Sequence, residues 1–231
     1  MRYCPNRWQL LDTLGVLDNW AIDKPRTTLA TARAVSRVIK EPAIKWTAGP
    51  SYDLSDGDFT VSGTYDPAAD EIEENIFIEC TISIGGNITR WTEHTWSQFK
   101  RQTADVICHE MIHAYQHRAR NFSCIDILPV KDITNELEKE RVYLGDPDEV
   151  ECYAHNIAAE LLDYYGHIRF ARKYDWQHLI TFQPPNCPSI HLWAYGRAWG
   201  HDKKFMSKLM KKTYEYLDEI YVQYLEYMAD N

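Results

Sequence analysis

The segment His-Glu-Met-Ile-His at residues 109–113 constrains this 231-residue chain more than any other feature. Apolar and aromatic residues around it recur at helical spacing between about residues 95 and 120, which predicts a single amphipathic helix. Residues four apart on a helix share one face. The imidazoles of His109 and His113 can therefore converge on one metal ion, as in known zinc sites.

Glu110 lies one residue further around the same predicted helix. Its carboxylate would be close to such an ion without pointing at it, which suits a general base that deprotonates a zinc-activated water. Zinc makes that proton removable near neutral pH. An amphipathic helix with two incidental histidines is the structural alternative for the same residues.

Composition disfavours two classes of partner. No apolar run approaches the ~18–20 residues of a membrane span, so we expect a soluble protein without a membrane partner. No apolar signal-type segment follows the N-terminus, which predicts a cytoplasmic location, or the host cytoplasm if the chain is viral. The formal net charge of −9 makes nucleic acid an improbable partner, because phosphates attract concentrated positive charge.

The six cysteines have no C-x-x-C pairs and no regular spacing, which favours buried, reduced thiols over a zinc knuckle or a disulfide framework. Cys108 and Cys152 each lie beside a proposed site residue. Adjacent helix positions point about 100° apart, so neither is counted as a metal ligand.

The order of elements indicates an α+β fold. Two helices (6–20 and 24–40) precede three strands of a small antiparallel sheet (43–47, 59–65 and 72–84), and the C-terminal half is mostly helical. We predict one domain over residues 1–231, with a helical region (1–42), a catalytic core (43–165) and a C-terminal loop and long helix (166–231).

Two helices matter in the C-terminal half, from about Asp148 to Tyr165 and from about Asp202 to Met228. Five lysines cluster at the start of the second one. We interpret them as a solvated helix face rather than a phosphate-binding patch; they are Lys203, Lys204, Lys208, Lys211 and Lys212.

A sheet followed by an H-E-x-x-H helix resembles the N-terminal half of the zincin metallopeptidases. The resemblance implies a zincin-like fold, a Zn²⁺ cofactor and a peptide or protein substrate. In zincins an edge strand pairs with the extended substrate through backbone hydrogen bonds. We expect the strand around Phe77–Thr81 to be that edge.

A catalytic zinc uses three protein ligands, so one more is needed. Glu151 is the first candidate, because Glu-Cys-Tyr-Ala at 151–154 and Ala-Ala-Glu-Leu-Leu at 158–162 resemble the segment that supplies the glutamate ligand in the gluzincin-like ImmA/IrrE metallopeptidases. Its helix face is otherwise apolar. A carboxylate there requires a cationic partner, which a metal ion would supply.

Three other residues compete for this role. Glu149 is favoured by a resemblance of residues 147–154 to a segment of small H-E-x-x-H proteins from phages and bacteria. His201 is favoured because residues 109–115 look like the helix of the SprT/Spartan proteases, whose third ligand is the histidine of an H-G-x-x-F segment that Gly200–Phe205 matches imperfectly. His117 lies too far along the helix axis, and a supporting or core role suits it better.

These observations favour a zinc metallopeptidase in which His109, His113 and Glu151 bind Zn²⁺ and Glu110 is the general base. A non-catalytic zincin-fold regulatory or binding protein is one alternative, and a SprT/Spartan-like DNA-associated protease is another. Glu110 distinguishes the metallopeptidase from the non-catalytic protein, because a structural zinc site needs no base and is normally closed by a fourth protein ligand. Net acidity disfavours the DNA-associated protease.

Overall fold

The computed structural model describes residues 4–41, 43–51, 53–86, 88–123, 133–172, 175–184 and 186–230. They form an α+β protein that divides into two compact units, Pro5–Phe122 and a second unit of Met1–Cys4 with Ser123–Asn231. A single domain over residues 1–231 stays a prediction. None of the described helices combines the length and apolar character that a membrane crossing requires.

The first unit contains the predicted N-terminal helices, strands and motif helix. The segment predicted as helix 6–20 contains two helices, and the second predicted helix begins at Thr28 rather than at residue 24. The helices are α1 (Arg7–Gly15), α2 (Asp18–Asp23), α3 (Thr28–Val38), α4 (Pro67–Glu71) and α5 (Glu93–Ala119). The strands are β1 (Arg26–Thr27), β2 (Ile44–Ser51), β3 (Phe59–Tyr65), β4 (Ile78–Gly85) and β5 (Ile88–Thr89).

The three-stranded sheet has the order β2-β4-β3, and it differs from the predicted antiparallel sheet. β3 is antiparallel to β4, whereas β2 is parallel to β4. The chain runs out along β2, returns along β3 and then inserts β4 between them, so the first and last of the three strands point the same way. The expectation that Phe77–Thr81 forms the sheet edge is therefore wrong, because β4 is the central strand.

One face of the sheet is buried and the other is polar. Alternate residues of β4 have at most 1% of their surface exposed, and they form the core with residues of α1, α3 and α5; these are Ile78, Cys80, Ile82 and Ile84. On the opposite face the hydroxyl groups of Thr47 and Thr81 lie 2.7 Å apart. Side chains alternate between the two faces of a strand, so the buried face fixes the register.

Aromatic rings anchor the first turns of α5. The Trp96 and Phe99 rings stack with centroids 5.0 Å apart, and Trp91 and Phe59 pack edge-on against them. Thr92 caps the helix, with Thr95 completing a capping box. The motif helix is therefore held by apolar packing well before the chain reaches the H-E-x-x-H segment.

A buried carboxylate holds the other end of α5. Asp70, on α4, accepts a 2.8 Å hydrogen bond from the hydroxyl of Tyr65 on β3 and two-point hydrogen bonds from the Arg118 guanidinium on α5. Arg118 also lies over the Phe77 ring. Charge-assisted, two-point pairs of this kind fix geometry as well as contributing energy, so the last turn of α5 is tied to the end of β3.

The second unit is helical among its described residues. Its helices are α6 (Glu136–Gly145), α7 (Pro147–Tyr165), α8 (Ile168–Ala171), α9 (Trp176–Leu179), α10 (Ile190–Trp199) and α11 (Lys203–Asp230). The two helices predicted at about 148–165 and 202–228 correspond to α7 and α11. Ala154, Ala158 and Leu161 of α7 are fully buried, as are Leu209 and Leu217 of α11. α7 and α11 pack along each other, so their apolar faces form the centre of this unit.

Candidate metal centre

α5 places the two motif histidines side by side. The Nε2 atoms of His109 and His113 lie 3.2 Å apart, and their rings meet nearly edge to face with centroids 4.9 Å apart. Two nitrogen ligands at 2.0–2.1 Å in a tetrahedral zinc site are about 3.3 Å from each other. The pair could therefore hold one metal ion. A hydrogen bond between the two rings would have a similar length, so metal analysis is the deciding test.

Glu110 is buried on the sheet-facing side of α5, with 7% of its surface exposed. Its side chain lies against Gly63 of β3, a residue that is paired with Cys80 of β4. Burial, and then the negative charge of Glu110, raise the pKa of the Cys80 thiol to about 12. Cys80 is therefore a protonated core residue at neutral pH. Glu110 is a buried carboxylate between α5 and the sheet.

Glu151 lies in the second unit, on α7, where it forms an ion pair with Lys212 of α11. The exposed fractions of the two side chains are 15% for Glu151 and 26% for Lys212. A partly buried carboxylate requires a cationic partner, and here an ammonium group supplies that charge within the unit. A metal ion at Glu151 would have to compete with Lys212, so the ligand role of Glu151 stays a prediction.

Glu149 lies on α7 next to a group of tyrosines. The hydroxyl groups of Tyr143 and Tyr153 are 3.2 Å apart, and the Tyr153 ring packs against that of Tyr195. Burial, followed by the neighbouring Tyr153 and Glu149, raises the pKa of Tyr195 far above its ordinary value. Burial, with Glu149 and Tyr153 as further causes, also raises the pKa of Tyr143, so Tyr143 and Tyr195 keep their protons at neutral pH.

The remaining candidate histidines have other neighbours. His117 is half-buried, and its ring is tilted against that of Tyr65 with centroids 5.3 Å apart; the supporting or core role expected for it stays a prediction. His201 is exposed and stacks on Trp199 with ring centroids 6.2 Å apart. His155 of α7 is fully buried and packs edge-on against Tyr216.

Three contacts were missed by sequence reasoning. Lys212 was grouped with four other lysines as a solvated face; those four are exposed, whereas Lys212 pairs with Glu151. Glu160, which belongs to the Ala-Ala-Glu-Leu-Leu segment, contacts His191 with 2.9 Å between Oε1 and Nδ1, and the segment did not predict this partner. The approach of Glu110 to Gly63 was also missed, although a glycine inside a strand often marks a close approach of another group.

Of the five described cysteines, all free thiols, Cys80, Cys108 and Cys152 are fully buried as predicted, whereas Cys4 and Cys187 are half-buried; Cys124 lies outside the described residues. A buried thiol beside a candidate ligand remains chemically able to bind zinc as the thiolate. Cys152 was not counted as a ligand from its position beside Glu151, but because its thiol is fully buried on α7 and can bind zinc, it is included when third ligands are tested.

Comparisons of this chain with protein-family models, with characterised proteins and with solved structures find no match. The case for a function therefore rests on the residues themselves and on their geometry.

We expect the purified protein to bind about one zinc ion per chain, because the paired histidines have the spacing of two ligands to one ion. His113→Ala should abolish that binding, since it removes one of the two nitrogens. Elemental analysis after zinc loading and dialysis measures the content. His94→Ala is the matched control, as His94 is exposed in the first turns of the same helix. Retention of zinc by His113→Ala would contradict the site.

Proposed function

We propose that this protein is a zinc-dependent metallopeptidase with a gluzincin-like site and a zincin-like fold. The observation that supports this best is the combination of converging His109 and His113 with a buried Glu110 on one helix. A glutamate in the core is unfavourable unless its surroundings compensate it. Its presence next to a potential ligand pair favours a chemical role.

His109 and His113 would hold the ion, and the sequence favours Glu151 as the third ligand. When bound, zinc lowers the pKa of water and polarises a peptide carbonyl. Glu110 acts as the general base: its carboxylate takes a proton from the attacking water and returns it to the leaving amine. A peptide or protein is the proposed substrate, because the H-E-x-x-H helix resembles that of the zincin metallopeptidases.

β3 replaces the Phe77–Thr81 segment as the strand beside the proposed site. It is antiparallel to β4 and packs against α5, and no other described strand pairs with its outer edge. An unpaired edge offers backbone N–H and C=O groups to an extended chain. In this proposal β3 aligns the substrate along the helix that carries Glu110.

One observation favours a second candidate, a non-catalytic binding or regulatory protein of the same fold. The predicted ligand Glu151 already has a cationic partner in Lys212, which accounts for its burial without a metal. A DNA-associated protease is less well supported. This chain has exposed lysines at the start of α11, but its net charge of −9 disfavours binding to phosphates.

Glu110→Gln should separate enzyme from binding protein. The amide keeps the shape of the side chain but cannot accept a proton, so cleavage of an unfolded protein such as casein should fall by about 10²–10⁴-fold. Zinc content and melting temperature should stay close to wild type. Glu140→Gln, at a partly exposed surface ion pair on α6, is the matched control and should leave the cleavage rate unchanged. Equal rates for wild type and Glu110→Gln would contradict the peptidase assignment.

Lys212 makes the test of the third ligand sharper. If Glu151 binds zinc, Glu151→Gln should weaken zinc affinity by at least about 10–100-fold, and Lys212→Gln should strengthen it because the competing ammonium group is gone. Isothermal titration with zinc measures both. Glu149→Gln, Cys152→Ser and His201→Ala should have little effect.

Unchanged zinc affinity in both the Glu151 and the Lys212 variants would assign this pair to structure alone. The ligand role would then pass to whichever of Glu149, Cys152 or His201 weakens binding when replaced.

A further inference from the structure

The backbone of β3 comes so close to Glu110 that any side chain at position 63 would force a neighbouring side chain to move. A Cβ atom there would lie 2.6 Å from Oε1 and 2.7 Å from Cγ of Glu110, and 2.8 Å from Cγ1 of Val106. Cβ atoms essentially never approach other heavy atoms within 3.0 Å. The backbone at Gly63 does not have the positive φ that itself favours glycine, so the requirement is one of space.

Gly63 lies on the buried face of the sheet, because it is paired with the fully buried Cys80 of β4. The pairing runs along the whole of β3, from Phe59 to Tyr65, so this backbone has little freedom to retreat. The side chain of Glu110 has three rotatable bonds. An added methyl group at position 63 would therefore displace the Glu110 carboxylate more readily than it would displace the strand.

We propose that Gly63 is a positioning residue: the missing side chain in β3 leaves the space in which the Glu110 carboxylate is seated. This inference rests on the proposed function, since it gives Gly63 a catalytic consequence through Glu110. The glycine itself contacts neither ligand nor substrate in this account. The space at Gly63 sets where the Glu110 carboxylate lies relative to His109 and His113.

Gly63→Ala tests the inference, and Gly49→Ala is its matched control. Gly49 lies on β2 of the same sheet, and a Cβ atom added there would meet no atom within 4 Å. Misplacing a catalytic group by about 1 Å can cost 10²-fold in rate, so Gly63→Ala should lower kcat by about 10–100-fold. KM and zinc content should be unchanged, and Gly49→Ala should match wild type in all three.

A cycle of thermal unfolding experiments on metal-free protein tests the contact without reference to activity. Glu110→Ala removes Cγ and Oε1, the two closest of the three atoms that the added methyl group would meet, and leaves only Cγ1 of Val106. Gly63→Ala should therefore lower the melting temperature by a few degrees in the wild type, on the order expected for local overpacking. It should lower the melting temperature by less when Glu110→Ala is also present.

The outcomes separate the two proposals. A wild-type kcat for Gly63→Ala, with Glu110→Gln inactive, would overturn the positioning role and leave the peptidase standing. Strictly additive shifts in melting temperature would overturn the contact itself. If Glu110→Gln is as active as wild type, the peptidase assignment fails. Non-additive shifts in melting temperature would still support the close contact between Gly63 and the Glu110 side chain.

Discussion

Packing of α5 on the buried face of the three-stranded sheet is the constraint on which the first unit depends. α5 has 27 residues and is therefore about 40 Å long. Its first turns are fixed by the stack of Trp96 on Phe99, and its last turn by the Arg118–Asp70 pair. Between these two anchors the same face that builds the core carries Glu110 towards β3. The helix is thus both the main core element and the carrier of the proposed chemistry.

Local patterns predicted the long helices α5, α7 and α11 and the strand β3 well, because helical and strand periodicity are properties of neighbouring residues; the short helices α4, α8 and α9 and the helix α10 were not predicted. The predicted strand 59–65 coincides with β3, and the motif lies inside α5. Sheet order depends on contacts between distant segments, so it was missed. The alternation of Ile78, Cys80, Ile82 and Ile84 indicates one buried face, yet that alternation is the same in an edge strand and in a central one. β4 was therefore mistaken for an edge.

The candidate site shows the same division. His109, Glu110 and His113 could be assigned from spacing, because a single helix brings them together. The partner of Glu151 could not be assigned from spacing, since Lys212 is 61 residues away in sequence. A run of lysines usually indicates a solvated face, and four of the five here are exposed. The role of Gly63 depends on how closely one strand approaches one helix; a glycine inside a strand can mark such an approach, but it does not say which residue approaches.

The central claim is that His109 and His113 bind zinc in a site that keeps a position open for water, with Glu110 beside it. X-ray absorption at the zinc edge of the loaded protein tests this directly. The account predicts the scattering of two imidazoles at about 2.0–2.1 Å, with oxygen completing the shell. A shell without imidazole, or one in which a fourth protein ligand leaves no oxygen from water, would contradict it.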